Sequence, residues 1–205
     1  MGEFVSLNMR KVYSFYDRSL NGSDETIQAG DHLHIGLDFN IGGTCAVVFI
    51  ERGEETLAVM EFVSNDTADF INNLYIYSDH KITIYPDASG KNSHTNAAAS
   101  DIDLIENAAN VRGVDWYIDA PNANPFIRDR VNAKNALLSK RTLKVNDEKC
   151  PNYARSLETQ GYTVKGDPEK YDSHPSIDDW GDAGGYFVHR KHPISKPATL
   201  IKVRF

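Results

Sequence analysis

Residues 34–49, HIGLDFNIGGTCAVVF, place one carboxylate at the end of an apolar segment. Leu33, Ile35 and Leu37 alternate along it as the buried face of a strand does, and the NIGG that follows is typical of a turn. A second apolar run, TCAVVFIE, follows the turn and is expected to form a strand antiparallel to the first. A carboxylate within a sheet costs free energy unless it has partners. Asp38 is therefore either a turn-forming residue at a strand end or one member of a site.

The rest of the chain alternates apolar strands with helical patterns. We expect further strands at TLAVMEFV, KITIYPD and VDWYIDAP, and helices over residues 64–80, 98–113, 124–140 and 177–192. RTLKVND is expected to be a short strand or a loop, and CPNYARSLETQG a short helix. The fourth and fifth strands follow helices, so they should run parallel to the first. The prediction is an α/β fold with a central mixed sheet of five or more strands, flanked by helices.

The composition fits an ordinary globular domain and narrows the function only slightly. The 205 residues are 40% hydrophobic and carry a formal net charge of −7, which disfavours a protein held to nucleic acid by charge alone. An acidic chain can still be a nuclease, because a hard-metal site needs carboxylates. No apolar run approaches the roughly 20 residues of a membrane span, and the start has no signal-peptide pattern. An internal start, with this chain as a piece of a longer protein, is one alternative.

Acidic residues recur at the ends of predicted elements. Asp87 ends the fourth strand as Asp38 ends the first, and ligands bind at the carboxyl ends of parallel strands. Two carboxylates in near contact repel each other unless a cation lies between them. Asp178, Asp179 and Asp182 lie at the start of the last helix, where capping is the alternative explanation for any one of them. The glycines that follow suggest that this helix passes close to another backbone.

These carboxylates predict a site for Mg²⁺ or Mn²⁺, with two ions expected. Oxygen ligands without cysteine or clustered histidine select hard cations. Two such ions can activate a water and stabilise the leaving oxygen in phosphodiester cleavage. The chain has no phosphate loop, no dinucleotide fingerprint and no nucleophile elbow, so other common chemistries lack their motifs.

Basic residues concentrate in and just after the helix predicted over 124–140, whose inner side should carry Ile127, Val131 and Leu138. We expect this basic cluster to contact DNA, and the alternative is an ordinary solvated helix face. Its members are Arg128, Arg130, Lys134, Lys140 and Arg141.

Several segments, taken in order, resemble the nuclease domain of the large terminase subunit of tailed bacteriophages, which belongs to the RNase H-like superfamily. They are VYSFYDRSLNG, HIGLDFNIGGTCAVVF, ITIYPDASG, NPFIRDRVNAKNALL and DDWGDAGGYFV. The resemblance implies an RNase H-like fold and a two-metal endonuclease that cuts concatemeric viral DNA during genome packaging. It implies that Asp38, Asp87 and Asp182 are catalytic metal ligands and that Asp179 is an auxiliary ligand.

The same resemblance implies partners and a place of action. The partners are double-stranded DNA, a terminase ATPase domain, a small terminase subunit and a portal protein, with no membrane, in the cytoplasm of the infected bacterium. Residues 1–30 would be a lead-in segment or a linker from the ATPase, followed by a nuclease domain over 31–192 and a basic tail over 193–205. The chain holds no phosphate loop, so the motor is expected elsewhere. A junction resolvase, an integrase and a non-catalytic DNA- or protein-binding domain stay open as alternatives.

Two further expectations concern the site. Replacing Asp38, Asp87 or Asp182 by alanine should abolish cleavage and leave the fold as stable or more stable, because like-charge repulsion is relieved. The turn that contains Gly42 and Gly43 should leave open space beside the site, where the DNA backbone would approach.

Overall fold

In the part of the chain that the structure describes, six strands form one mixed sheet, and the strand that carries Asp38 lies inside it. The computed structural model describes residues 11–40, 43–91, 99–172 and 175–194. The strands are β1 Leu33–Asp38, β2 Thr44–Arg52, β3 Glu55–Ser64, β4 Ile82–Pro86, β5 Trp116–Ile118 and β6 Leu143–Val145. The helices are α1 Arg18–Asn21, α2 Thr67–Leu74, α3 Asp101–Arg112, α4 Ile127–Ser139, α5 Pro151–Thr159 and α6 Ile177–Lys191. The strand order is β5-β4-β1-β2-β3-β6.

The register of the sheet brings two strand ends together. β1 pairs antiparallel with β2 and parallel with β4, and β4 pairs parallel with β5, as predicted. Leu37 lies opposite Pro86, so Asp38 and Asp87 follow at neighbouring positions on the same edge. The segment RTLKVND contains a strand, β6, which is parallel to β3 and closes the far edge of the sheet.

Each face of the sheet buries its own core. Leu33, Ile35 and Leu37 of β1 pack with Phe70 of α2 and Ile105 of α3 on one face. On the other face α6 crosses β1, β2 and β4, with α4 and α5 packed beside it. The alternation along β1 therefore predicts its buried face correctly, and α6 covers the opposite one.

The close approach expected of α6 is present. A Cβ added to Gly36 of β1 would collide with the carbonyl of Ala183, and one added to Gly184 would collide with the ring of Tyr153. Gly184 leaves room for the Tyr153 ring of α5, and Gly36 lets the backbone of α6 lie directly on β1. This contact sets the height of α6, and hence of its acidic residues, above the sheet edge.

Some predicted element ends were wrong. The helix predicted over 64–80 is shorter, because α2 ends at Leu74 and a 3₁₀ turn over Tyr75–Tyr77 follows. The helix predicted over 124–140 begins at Ile127. Ile127 was expected on its inner side but is 37% exposed, since it lies in the first turn, at the mouth of a cleft.

The segment before β1 is less irregular than its polar composition indicates. Val12, Tyr13 and Tyr16 are buried in the core beneath α5 and α6, and the Val12 amide donates to the Gln160 carbonyl at 2.9 Å. Most of the predicted tail, residues 195–205, lies outside the described residues, as do residues 1–10 and Gly42. Within the described part of the chain, no helix is both long and apolar enough to cross a membrane.

Candidate metal centre

Asp38 and Asp87 both lie at the carboxyl edge of the sheet, and both are buried. The Asn40 side chain donates to Asp38 Oδ2 at 2.7 Å. The Ser89 amide donates to Asp87 Oδ2 at 3.0 Å, and the Phe39 amide lies 3.4 Å from Asp87 Oδ1. Each carboxylate is therefore held by groups that follow directly after one of the two strands.

Asp38 lies in a field of negative charge. Burial, and then the neighbouring carboxylates Asp182, Asp87 and Asp179, raise the pKa of Asp38 well above its usual range. These effects all disfavour the ionised form, and a bound cation would reverse them. The strands and α6 thus bring together the acids that the sequence suggested.

Asp179 serves as a helix cap. The Ser176 amide donates to Asp179 Oδ2 at 2.7 Å, and the Ser176 hydroxyl accepts from the Asp179 amide, which forms a capping box. Asp178 accepts from the Ser176 hydroxyl at 2.6 Å and lies 3.2 Å from the Lys170 ammonium. The capping explanation therefore holds for Asp179, while its position as an auxiliary ligand stays a prediction.

Asp182 lies in the second turn of α6 and faces two cations. Arg130 Nη1 lies 3.0 Å from Asp182 Oδ1, and the Lys170 ammonium donates to Asp182 Oδ2 at 2.8 Å. Burial alone would raise the pKa of Asp182, but Arg130 and Lys170 outweigh it and lower the pKa. Removing Asp182 would leave Arg130 buried without this partner. The premise of unrelieved like-charge repulsion therefore does not apply to Asp182, and we expect its removal to lower the stability of the fold.

The predicted basic cluster is not one surface. Lys134 is buried and donates hydrogen bonds to Tyr13 Oη and the Gly181 carbonyl. Its side chain is therefore structural and is not available for the predicted DNA contact. Arg130 is also buried and reaches only the cleft, against Asp182 and the ring of Tyr186. Arg128 is 84% exposed at the cleft end of α4.

Lys140 and Arg141 are exposed just beyond the other end of α4, about 20 Å from Arg128 at 1.5 Å per residue. The exposed members of the basic cluster therefore lie at opposite ends of α4 and are not side by side. DNA contact by any one of these exposed residues stays a prediction.

One open cleft of about 530 Å³ joins these groups. Its acidic lining residues are Asp38, Asp87, Asp178, Asp179 and Asp182. Arg130 and Lys170 are basic, and the remaining wall is Phe39, Asn40, Asn124, Pro125, Phe126, Ile127, Tyr171 and Tyr186. Lys170 was missed from the sequence, because it lies in an extended loop with no pattern that indicates its partner.

The donor set fits a hard divalent cation, although no cage is ready-made. Among the described residues, no three Asp, Glu, His or Cys side chains are arranged so that they could hold one ion as they stand. The acids that line the cleft offer only carboxylate oxygens, the ligands that Mg²⁺ and Mn²⁺ accept. Both carboxylate oxygens of Asp182 already face protein cations, so Asp182 is not free to bind a metal ion as it stands. A cation would therefore replace Lys170 as the partner of Asp182.

Gly43 does not face the open space expected of it. A Cβ added to Gly43 would lie 3.2 Å from Val63 Cγ2 and 3.6 Å from Pro175 Cδ. Gly42 lies outside the described residues. The open side of the cleft is instead bordered by the start of α4, at Phe126 and Ile127.

The comparisons with known proteins agree with this architecture. The mixed six-stranded sheet with helices on both faces defines an RNase H-like α/β fold, as predicted. More particularly, the chain has the fold of bacteriophage large terminase nuclease domains. It is similar to the nuclease domain of the P22 large terminase, with a TM-score of 0.67 and 11% identity over 89% of this chain and 93% of that one.

Two further solved structures support the same fold. The large terminase nuclease of the thermophilic phage G20c, solved with bound magnesium, is 13% identical over 89% of this chain and 98% of its own, with a TM-score of 0.59. The large terminase of another thermophilic bacteriophage is 15% identical over 88% of this chain, with a TM-score of 0.64. This chain spans 45% of that longer protein. No protein-family model and no curated protein matches the sequence.

Proposed function

We propose that this chain is a divalent-metal-dependent DNA endonuclease of the terminase large-subunit type, which cuts concatemeric viral DNA during genome packaging. The observation that carries the proposal is the convergence of Asp38, Asp87 and Asp182, from β1, β4 and α6, on one cleft of this fold. A structural neighbour with bound magnesium supports the choice of cation.

Asp38, Asp87 and Asp182 would hold the cations, with Asp179 as an auxiliary ligand, and we propose two Mg²⁺ or Mn²⁺ ions. When bound, the ions supply an activated water and positive charge for the leaving oxygen. A cation binds the ionised carboxylate, and the raised pKa of Asp38 makes protons compete with the cation for this group. Metal affinity should therefore increase with pH.

The other residues of the cleft orient and balance these carboxylates. Asn40 fixes Asp38, and the Phe39 amide after β1 and the Ser89 amide after β4 fix Asp87. Arg130 is held over the ring of Tyr186, with 4.4 Å from its guanidinium carbon to the ring centroid, and stays paired with Asp182 beneath the surface. Lys170 is 52% exposed, and in this proposal it balances Asp178 and Asp182 until a cation takes its place.

The setting follows from the proposed activity. Double-stranded DNA is the substrate, and a terminase ATPase, a small terminase subunit and a portal protein would be partners in the cytoplasm of an infected bacterium. The longer of the large terminases compared above, of which this chain matches 45%, has also been solved with ATP-γ-S. We propose that an ATPase motor works together with the nuclease described here.

The experiment is cleavage of supercoiled plasmid by the purified chain with Mg²⁺ or Mn²⁺, with EDTA as the control. We expect nicked and linear products at many sites, and only with metal. Plasmid left intact with every divalent metal tested would overturn the proposal and favour a non-catalytic DNA-binding domain.

A junction resolvase is distinguished by substrate preference. The same preparation is given a four-way junction and a linear duplex of matched sequence, each with Mg²⁺. A terminase nuclease should cut the two at similar rates, whereas strong preference for the junction would favour a resolvase.

A further inference from the structure

The start of α4 presents an exposed aromatic ring at the mouth of the acidic cleft. Phe126 is the N-cap residue of α4 and is 77% exposed, and the neighbouring Ile127 is 37% exposed. Both line the cleft that holds Asp38 and Asp87. Single exposed apolar residues are common on protein surfaces, so exposure alone assigns nothing. Phe126 differs from the other exposed apolar residues because it lies beside the proposed cutting site.

The loop that carries Phe126 is fixed from both sides. Asn124 Oδ1 accepts from the Ala88 amide, directly after Asp87, at 2.6 Å. Lys91 donates to the Ala120 carbonyl at 3.3 Å and to Asn122 Oδ1 at 3.1 Å. The backbone that carries the ring is therefore fixed to the segment that follows β4, at the carboxyl edge of the sheet.

The start of this loop is anchored as well. The Asp119 amide donates to the Ile84 carbonyl of β4 at 2.9 Å, and Arg190 of α6 makes a two-pronged ion pair with the Asp119 carboxylate. Pro121 and Pro125 further restrict the backbone between these anchors. The backbone that carries this ring therefore loses little conformational freedom when the ring binds.

The charge of the cleft indicates why an apolar contact is needed. The chain is acidic overall, and Arg130 and Lys170 of the cleft are paired with its carboxylates, so apart from the proposed cations little positive charge is available there to attract DNA. Arg128, 84% exposed and two residues after Phe126, is placed to meet a phosphate. An aromatic ring can stack on an unstacked base while a neighbouring cation contacts the phosphate backbone beside that base.

We infer that Phe126 stacks on a nucleobase beside the scissile phosphate, so that the cleft grips DNA where base stacking is locally disturbed. This inference rests on the proposed function, since it concerns how the same site holds its substrate. It predicts tighter binding to a duplex with a small unpaired bubble than to a continuous duplex, because opening a base step costs free energy.

The test is the affinity of the full chain for a fluorescein-labelled bubble duplex, measured by anisotropy with Ca²⁺. Phe126→Ala should weaken binding about tenfold, as loss of one stacking contact does, and Phe126→Trp should restore it. The salt dependence should be unchanged in Phe126→Ala, since no charge is removed, and should become shallower in Arg128→Gln. A 2-aminopurine in the bubble should be quenched by the wild type and less by Phe126→Ala.

The matched control is Ile76→Ala. Ile76 is also 77% exposed but lies before β4, at the end of that strand opposite the cleft, so its replacement should leave DNA affinity unchanged. Equal affinity and equal quenching for wild type and Phe126→Ala, both folded by circular dichroism, would overturn the inference. If plasmid is still cut in that case, the proposed nuclease function stands without it. Wild-type protein that binds neither DNA would overturn the inference outright.

Discussion

At the scale of single residues, the acids of the cleft differ in what balances their charge. Asp182 is paired directly with Arg130 and Lys170, whereas Asp38 accepts a hydrogen bond from the Asn40 amide and lies near three other carboxylates, with the charge of Arg130 also acting on it. Replacing Asp38 and replacing Asp182 should therefore change the free energy of unfolding in opposite directions. A carboxyl group whose folded pKa is raised costs the fold stability progressively as pH rises from its unfolded to its folded pKa, whereas one whose folded pKa is lowered contributes stability at neutral pH.

We predict that Asp38→Asn raises the free energy of unfolding by about 1–2 kcal/mol in EDTA near neutral pH. Asp182→Asn should lower it by about 1–3 kcal/mol, because Arg130 is left buried without its partner. Urea denaturation measures both, with Asp115→Asn as a control at the opposite end of the sheet. The same direction of change in both variants would contradict this account of the cleft.

His34 makes the fold sensitive to acid. It is buried on β1, where burial and the nearby His32 and Lys191 lower its pKa to about 3. Its ring stacks on Phe187, with centroids 5.2 Å apart, and Nδ1 lies 3.1 Å from the Tyr85 hydroxyl. Because His34 stays neutral in the fold, its 3.7 Å approach to Glu51 is not an ion pair.

Unfolded His34 takes up a proton below its ordinary pKa of about 6.5, whereas the folded residue does not. Stability is therefore lost as pH falls from about 6.5 toward 3. We predict that His34→Gln, measured by urea denaturation at several pH values, loses less stability than the wild type between about pH 7 and pH 5. Identical pH slopes for the two proteins would show that His34 does not contribute.

At the scale of elements, α6 decides the site because it lies directly on β1. Gly184 and Gly185 are adjacent on this helix, yet they differ in surroundings. A Cβ at Gly184 would collide with the Tyr153 ring, whereas one at Gly185 would meet Arg130 and Lys134 atoms at 3.5 Å, an ordinary contact.

We predict that Gly184→Ala destabilises the protein by about 2–3 kcal/mol through overpacking. Gly185→Ala should stabilise it by about 0.5–1 kcal/mol, since alanine favours a helix over glycine. Thermal and urea denaturation of the pair give a comparison within one helix. Equal effects from the two substitutions would mean that the Tyr153 ring of α5 does not pack against Gly184 as described.

The carboxylate positions could be predicted because they depend on local pattern. Asp38 and Asp87 end apolar strands, and the helix between these strands indicates that they pair in parallel. Asp182 is followed by small residues in the last helix. Arg130 and Lys134 could not be placed in the same way. Basic residues on a helix with few apolar positions look solvated, and their burial depends on α6 and Tyr13, which are distant in sequence.

At the scale of the whole molecule, the sheet order explains why distant carboxylates meet. β1 lies between β2 and β4, so the chain must cross the sheet before Asp87 can lie next to Asp38. The segment around Val12, Tyr13 and Tyr16 then packs under α5 and α6. Through Lys134, which contacts both Tyr13 and the Gly181 carbonyl, this early segment supports the turn of α6 that carries Asp182.

The central claim is that Asp38, Asp87 and Asp182 form one metal-dependent catalytic site. The most direct measurement is the rate of plasmid cleavage with Mn²⁺ for Asp38→Asn, Asp87→Asn and Asp182→Asn, beside wild type and Asp115→Asn. The account predicts at least about a hundredfold loss in each of the three, with no loss in Asp115→Asn and with all variants folded. Wild-type cleavage by any one of the three folded variants would contradict it.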